Sequence, residues 1–175
     1  MGKKPDVIYR GRVFDLLGRD LRFRGGSMRF VYAASHGSAV ILPVSGDGRI
    51  LLERNYRYAI RNSLYELPAG HLDRGERPAA AAARELREET GYRPSRLTPL
   101  FRSYSSPGVS NELYFFFLAS GLVKGRASRE PDERMTLRFV TLEKAMAMIR
   151  GKEIEDTKTI ACLMFYSEFV KRVIA

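Results

Sequence analysis

The apolar positions along this chain change period several times, and each change marks an element. Alternating apolar residues over 7–16, 21–23 and 28–34 predict short strands, punctuated by Gly18 and by Gly25-Gly26. Together they read as a small N-terminal meander. Apolar runs at 39–44 and 50–53 flank Ser45-Gly46-Asp47-Gly48, whose two glycines and aspartate predict a hairpin turn. Another short strand is expected at 64–67, and continuous apolar strands at 113–118 and 135–140. Helical spacing appears at 78–90: Pro78 suits a first helical position, residues 79–83 are all alanine, and Gly91 supplies the stop. Two more helices are expected at 142–149, opening at Thr141, and at 157–173. Mixed strands with a few helices predict an α/β sandwich. Its organisation is read as an N-terminal β-rich extension over residues 1–36 and a main domain over 37–175.

Composition narrows this picture. At 175 residues and 45% hydrophobic, the chain can bury one substantial core. It carries 30 Lys and Arg against 20 Asp and Glu, a formal net charge of +10, and such a field attracts polyanions. The basic residues are dispersed and form no dense tail, so a phosphorylated small molecule fits as well as nucleic acid. No stretch reaches the roughly 18 apolar residues of a membrane span, and the N-terminus lacks the apolar centre of a signal peptide. A cytoplasmic location is expected. Cys162 sits among Ile160, Ala161, Leu163 and Met164 and reads as a packed residue. His36 and His71, alone, make no zinc site.

The chemistry concentrates in Arg84-Glu85-Leu86-Arg87-Glu88-Glu89-Thr90-Gly91. On a helix Glu85, Glu88 and Glu89 stand at i, i+3 and i+4, so three carboxylates share one face. They repel one another, and they lie near a helix C-terminus, where the macrodipole disfavours negative charge. A hard divalent cation offsets both effects, because Mg²⁺ and Mn²⁺ take carboxylate and carbonyl oxygens along with water and phosphate. Upstream, Leu67-Pro68-Ala69-Gly70-His71 forms a turn that brings backbone carbonyls beside the helix.

The spacing from Gly70 through Glu76 and Arg84-Glu85-Leu86 to Glu88-Glu89 and Gly91-Tyr92 resembles the Nudix box in every defined position. The resemblance implies the Nudix fold, a mixed β-sheet sandwiched between α-helices. It implies Glu85 and Glu89 as principal metal ligands, with Glu88 and the Ala69 carbonyl as further ones. Glu76 and Arg84 are expected to brace the loop and helix.

Two further features resemble the ADP-ribose pyrophosphatase subgroup of that family. Fifteen residues beyond Tyr92 lies Pro107, within Ser105-Ser106-Pro107-Gly108, followed by Glu112. Upstream, Glu53-Arg54-Asn55-Tyr56-Arg57 precedes Glu66-Leu67-Pro68-Ala69-Gly70, with Asn55 where glutamine is common in the subgroup. The resemblance implies hydrolysis of ADP-ribose to AMP and ribose 5-phosphate, with substrate contacts from Arg54, Arg57, Glu66, Ser106, Pro107 and Gly108. Guanidinium forks match phosphate oxygens, and Glu66 is expected to accept from a ribose or adenine donor. A general base is expected from 129–134, with Glu133 first and Glu130 and Asp132 behind it. The resemblance also implies a homodimer in which N-terminal strands help to enclose adenine, with Phe14, Phe23, Phe30 and Tyr32 as stacking candidates. Competing readings are another nucleoside diphosphate conjugate (a nucleotide sugar, a dinucleoside polyphosphate or an RNA 5′ end) and a non-catalytic nucleotide- or RNA-binding module.

Overall fold

A computed structural model describes residues 4–128 and 135–171. Among the described residues ten strands form three sheets, with helices packed on the main one. The N-terminal sheet is β1 (Asp6–Arg10), β2 (Asp15–Phe23) and β3 (Gly26–Ala34) in that order, all antiparallel. A four-stranded sheet follows the order β7 (Ala69–His71), β4 (Ser38–Pro43), β9 (Leu113–Lys124), β8 (Tyr92–Tyr104). Within it β4 runs parallel to β9 and the other pairs are antiparallel, so the sheet is mixed. The third sheet orders β10 (Met135–Val140), β5 (Ile50–Arg57) and β6 (Asn62–Glu66).

Strand β4 is buried from end to end, the pattern of a strand covered on both faces. On one face Ala39 and Ile41 pack against Ala81, Ala82 and Leu86, from α1 (Pro78–Glu85) and the turn after it. The alanines let that helix approach the sheet closely. On the other face Val40 and Leu42 join Ile50 and Leu52 of β5, Ala145 and Met148 of α2 (Leu142–Arg150), and Cys162 and Leu163 of α3 (Thr157–Phe165). This is the expected α/β sandwich. Thr141 caps α2 by accepting from the Lys144 N–H. Burial pushes the Cys162 thiol up to about 12, which leaves it a packing group. Among the described residues no helix is long and apolar enough to cross a membrane.

Three expectations are corrected. The turn at 45–48 forms, with the Gly48 N–H bonded to the Ser45 carbonyl, but it does not join a hairpin. After a single bridge, Val44 to Ile50, the two strands enter different sheets. β4 already pairs with β7 and β9 and has no free edge for β5, so the turn is a corner between sheets. Gly18 lies inside β2 and not at a break. A Cβ there would fall 2.7 Å from the Arg29 guanidinium, which crosses above it to reach Asp6 and Asp20, each at 3.0 Å. The break comes earlier, between β1 and β2, where the Gly11 N–H bonds the Phe14 carbonyl. The 13-residue strand β8 has no counterpart in the expected elements, because Pro94 and Pro99 read as turn signals. It is an edge strand, where proline removes no needed donor.

Candidate active site

The box helix begins as expected at Pro78 and ends in a wider π turn over Leu86–Thr90. Gly91 then turns left-handed at φ 78°. A Cβ on it would press within 2.9 Å of the Gly125 carbonyl and the Ala127 amide, both backbone, so the stop also docks a distant segment. That segment continues to Ser128, whose N–H donates to the Glu88 carbonyl at 2.9 Å.

Strand β7 brings the preceding turn against the helix by pairing Ala69 with Val40 and His71 with Ser38. Contact is made at Gly70, where a Cβ would lie 2.0 Å from the Glu85 carboxyl carbon. The Ala69 N–H donates to Glu89 at 3.1 Å, and Glu89 is only 5% exposed. Arg84 links the rest. Its Nε and Nη2 fork onto Glu76 at 3.0 and 2.8 Å, its Nη1 donates to Glu85 at 2.6 Å, and its Nη2 also donates to the His71 carbonyl at 3.0 Å. The forked Arg84 hydrogen bonds hold the Glu76 carboxyl below its usual range, and Glu76 and Glu85 together raise Arg84. Arg87 contacts Glu88 at 2.7 Å.

Glu85, Glu88 and Glu89 line a cleft of about 760 Å³, within the range of roughly 300–1,000 Å³ usual for small-molecule sites. Asn55, Arg57 and Lys158 line it too, as do Arg12, Val13 and Phe14 of the N-terminal extension. Near its edge the Ser38 hydroxyl donates to Glu112 at 2.6 Å and lies 3.0 Å from His71 Nδ1. Burial, then the charges of Glu112 and Asp156, push the Tyr114 phenol up to about 12, so it stays protonated.

The remaining sequence-chosen residues fall in different places. Arg57 and Glu66 are partners of each other: Arg57 Nε and Nη2 donate to the two Glu66 oxygens at 2.7 and 2.6 Å. Burial raises the Glu66 carboxyl, but the Arg57 hydrogen bonds and the Lys158 charge outweigh it and the net shift is downward. Arg54 is exposed on β5 and does not line the cleft. Ser106 accepts from the Val109 and Ser110 N–H groups and lines a smaller adjoining cavity of about 380 Å³; Pro107 and Gly108 line neither space. Their turn is nonetheless fixed to the N-terminal sheet, since Ala33 bonds Val109 and Asn111 through its N–H and carbonyl. Phe14 reaches the cleft, whereas Phe30 and Tyr32 stack on each other at 5.8 Å. Glu130, Asp132 and Glu133 lie outside the described residues.

Lys158 was not foreseen. One local signal was available: a lysine in the first turn of a helix opposes the macrodipole and needs an anionic partner.

Among the described residues no group of three or more His, Cys, Asp or Glu side chains is gathered closely enough to hold a metal ion by itself. The residues present nevertheless fit a divalent cation. Glu85 fills the cradle left by the missing Gly70 side chain, Glu89 is buried beside Ala69, and the donors are hard oxygens. A cation such as Mg²⁺ completes its shell with waters and phosphates and does not require an all-protein cage.

Comparison with known proteins agrees with this geometry. The NUDIX domain family matches residues 34–161. An ADP-ribose pyrophosphatase of Bacillus subtilis (strain 168) is 34% identical over 163 residues, covering 91% of this chain and 88% of that protein. A methanol dehydrogenase activator of Bacillus methanolicus is 32% identical over 165 residues, covering 93% and 89%. A crystal structure of an ADP compounds hydrolase superposes with a TM-score of 0.79 at 24% identity, covering 99% of this chain and 97% of that one. The box, its loop-helix-loop geometry and the family match converge: this chain belongs to the NUDIX domain family.

Proposed function

We propose that the chain hydrolyses the diphosphate of ADP-ribose, with water, to AMP and ribose 5-phosphate. The observation that carries this reading is the cluster of carboxylates on one side of the cleft. Glu85, Glu88 and Glu89 line it together, and Glu76, Glu85 and Glu88 share Arg84 and Arg87. Glu85, Glu88, Glu89 and the Ala69 carbonyl would hold Mg²⁺, with Mn²⁺ able to replace it. A divalent cation there would supply charge neutralisation on phosphate oxygens and make bound water more acidic. Arg84 keeps Glu85 and Glu76 in place, and Arg57 orients the diphosphate through its fork. Glu133, outside the described residues, is the proposed general base.

The choice of ADP-ribose rests on the Bacillus subtilis relative and on the Ser106-Pro107-Gly108 turn, held against the last strand of the N-terminal sheet, whose β1–β2 connection delivers Phe14 to the cleft. In this reading residues 1–36 are an extension to a catalytic domain over 37–175. The extension exposes Val7, Ile8, Tyr9, Phe23 and Met28, apolar surface that suits a second copy in a homodimer. A cytoplasmic location is part of the same proposal. The test is a panel of nucleoside diphosphate conjugates with Mg²⁺, read by AMP or phosphate release. ADP-ribose is expected to give the highest kcat/KM; a preference for a nucleotide sugar, a dinucleoside polyphosphate or capped RNA would overturn the assignment.

A further inference from the structure

Glu66 is 2% exposed, yet three donor contacts from two cations converge on it. Arg57 provides the fork already described, and Lys158 Nζ lies 2.6 Å from Oε2. The two cations differ in freedom. The Arg57 side chain is 44% exposed at the end of β5 and lines the cleft. The Lys158 side chain is 12% exposed and is fastened from behind, with Nζ also 2.8 Å from Asp156 Oδ1. Asp156 is fixed in turn: it caps α3 by accepting the Thr159 N–H at 3.0 Å and the Thr159 hydroxyl at 2.6 Å. Thr159 Oγ1 then accepts the N–H of Leu67, the residue after Glu66, at 2.8 Å. The first turn of α3 is thereby tied to the end of β6.

This matters when an anion enters. A diphosphate competes with Glu66 for the Arg57 fork, and a buried carboxylate deprived of its partner is strongly unfavourable. If Arg57 were its only cation, turning toward substrate would strand that charge.

We infer that Lys158 is a positioning residue: it keeps the buried Glu66 carboxylate paired, so that Arg57 is released to grip the substrate diphosphate. The inference rests on the reading that Arg57 meets the diphosphate. Lys158 acts through Glu66 and Arg57 and does not itself touch the substrate.

The test is steady-state hydrolysis of ADP-ribose at saturating Mg²⁺. Lys158→Met is expected to raise KM about tenfold with kcat within about twofold, because Arg57 then stays on Glu66 as its remaining cation. Lys158→Arg keeps the charge and should return KM to within about twofold of wild type. In a Glu66→Gln background there is no buried anion for Arg57 to leave, so adding Lys158→Met should change KM by less than about twofold. An equal rise in KM in both backgrounds, as a direct phosphate contact would give, overturns the inference; so does an unchanged KM in the single variant. Should Lys158→Met alone fail to fold, the comparison of Glu66→Gln with Glu66→Gln/Lys158→Met decides, because there Glu66 carries no charge to strand and Asp156 keeps both Thr159 donors. Arg57→Ala separates the two levels. If it leaves KM unchanged, the diphosphate reading of Arg57 fails and takes the inference with it. If it raises KM while Lys158→Met acts equally in both backgrounds, only the inference fails.

Discussion

Two ionic networks meet at the cleft, and they differ in balance. Around the box helix, Glu76, Glu85 and Glu88 share Arg84 and Arg87, and Glu89 is buried beside them against the Ala69 N–H. Around the end of β6, Glu66 and Asp156 face Arg57 and Lys158, two against two. In the proposed function the first network takes up a divalent cation. The second is complete as it stands and has to rearrange to release an arginine. The proposed function gives the acidic side the chemistry of the phosphoanhydride and the balanced side the holding of the substrate. Changes on the first should fall on kcat, and changes on the second on KM.

The sharpest break is Glu89→Gln, which keeps the shape and the hydrogen bond from Ala69 but removes a charge. It should lower kcat by about a thousandfold at saturating Mg²⁺, the scale expected when charge stabilisation at the reacting centre is lost. Steady-state rates with ADP-ribose check this. A smaller loss is expected from Gly70→Ala. The added Cβ collides with the tip of the Glu85 side chain, not with backbone, so Glu85 moves aside and the fold survives. Misplacing a catalytic group by about 1 Å can lower rates by about a hundredfold, and the melting temperature should change by no more than a few degrees. A large fall in melting temperature with unchanged kcat would reverse that assignment.

The smallest effect concerns pH. Glu66 and Glu76 are both held below the ordinary carboxylate range. Each therefore binds fewer protons folded than unfolded, and its contribution to stability is present above about pH 4.3 and is lost as pH falls further, toward the folded value. Thermal melts from pH 7 down to pH 3 should show this loss, and Glu66→Gln should flatten the slope. An identical slope in that variant would remove Glu66 from the balanced network.

Much of this contrast was visible in the sequence on one side and hidden on the other. The box network is local: Glu85, Glu88 and Glu89 fall within five residues, Arg84 precedes them, and helical spacing alone places them on one face. The balanced network is built from β5, β6 and α3, and Lys158 is 92 residues from Glu66. Arg57 and Glu66 both stood out in the sequence, but as separate substrate contacts; their pairing depends on how β5 and β6 register, which no local pattern encodes. The same reason explains the corner at 45–48, where correct turn chemistry joined strands of different sheets. Strand β8 was hidden by Pro94 and Pro99, which only the edge position makes harmless.

The central claim is that the acidic face of the box helix is a cation site. Its most direct test is titration of Mn²⁺ into the apo protein, following the free ion by electron paramagnetic resonance. Saturable binding is predicted for wild type and for Glu66→Gln, with affinity weakened at least about tenfold in Glu85→Gln/Glu89→Gln. Equal Mn²⁺ affinity in that double variant and in wild type would contradict the account.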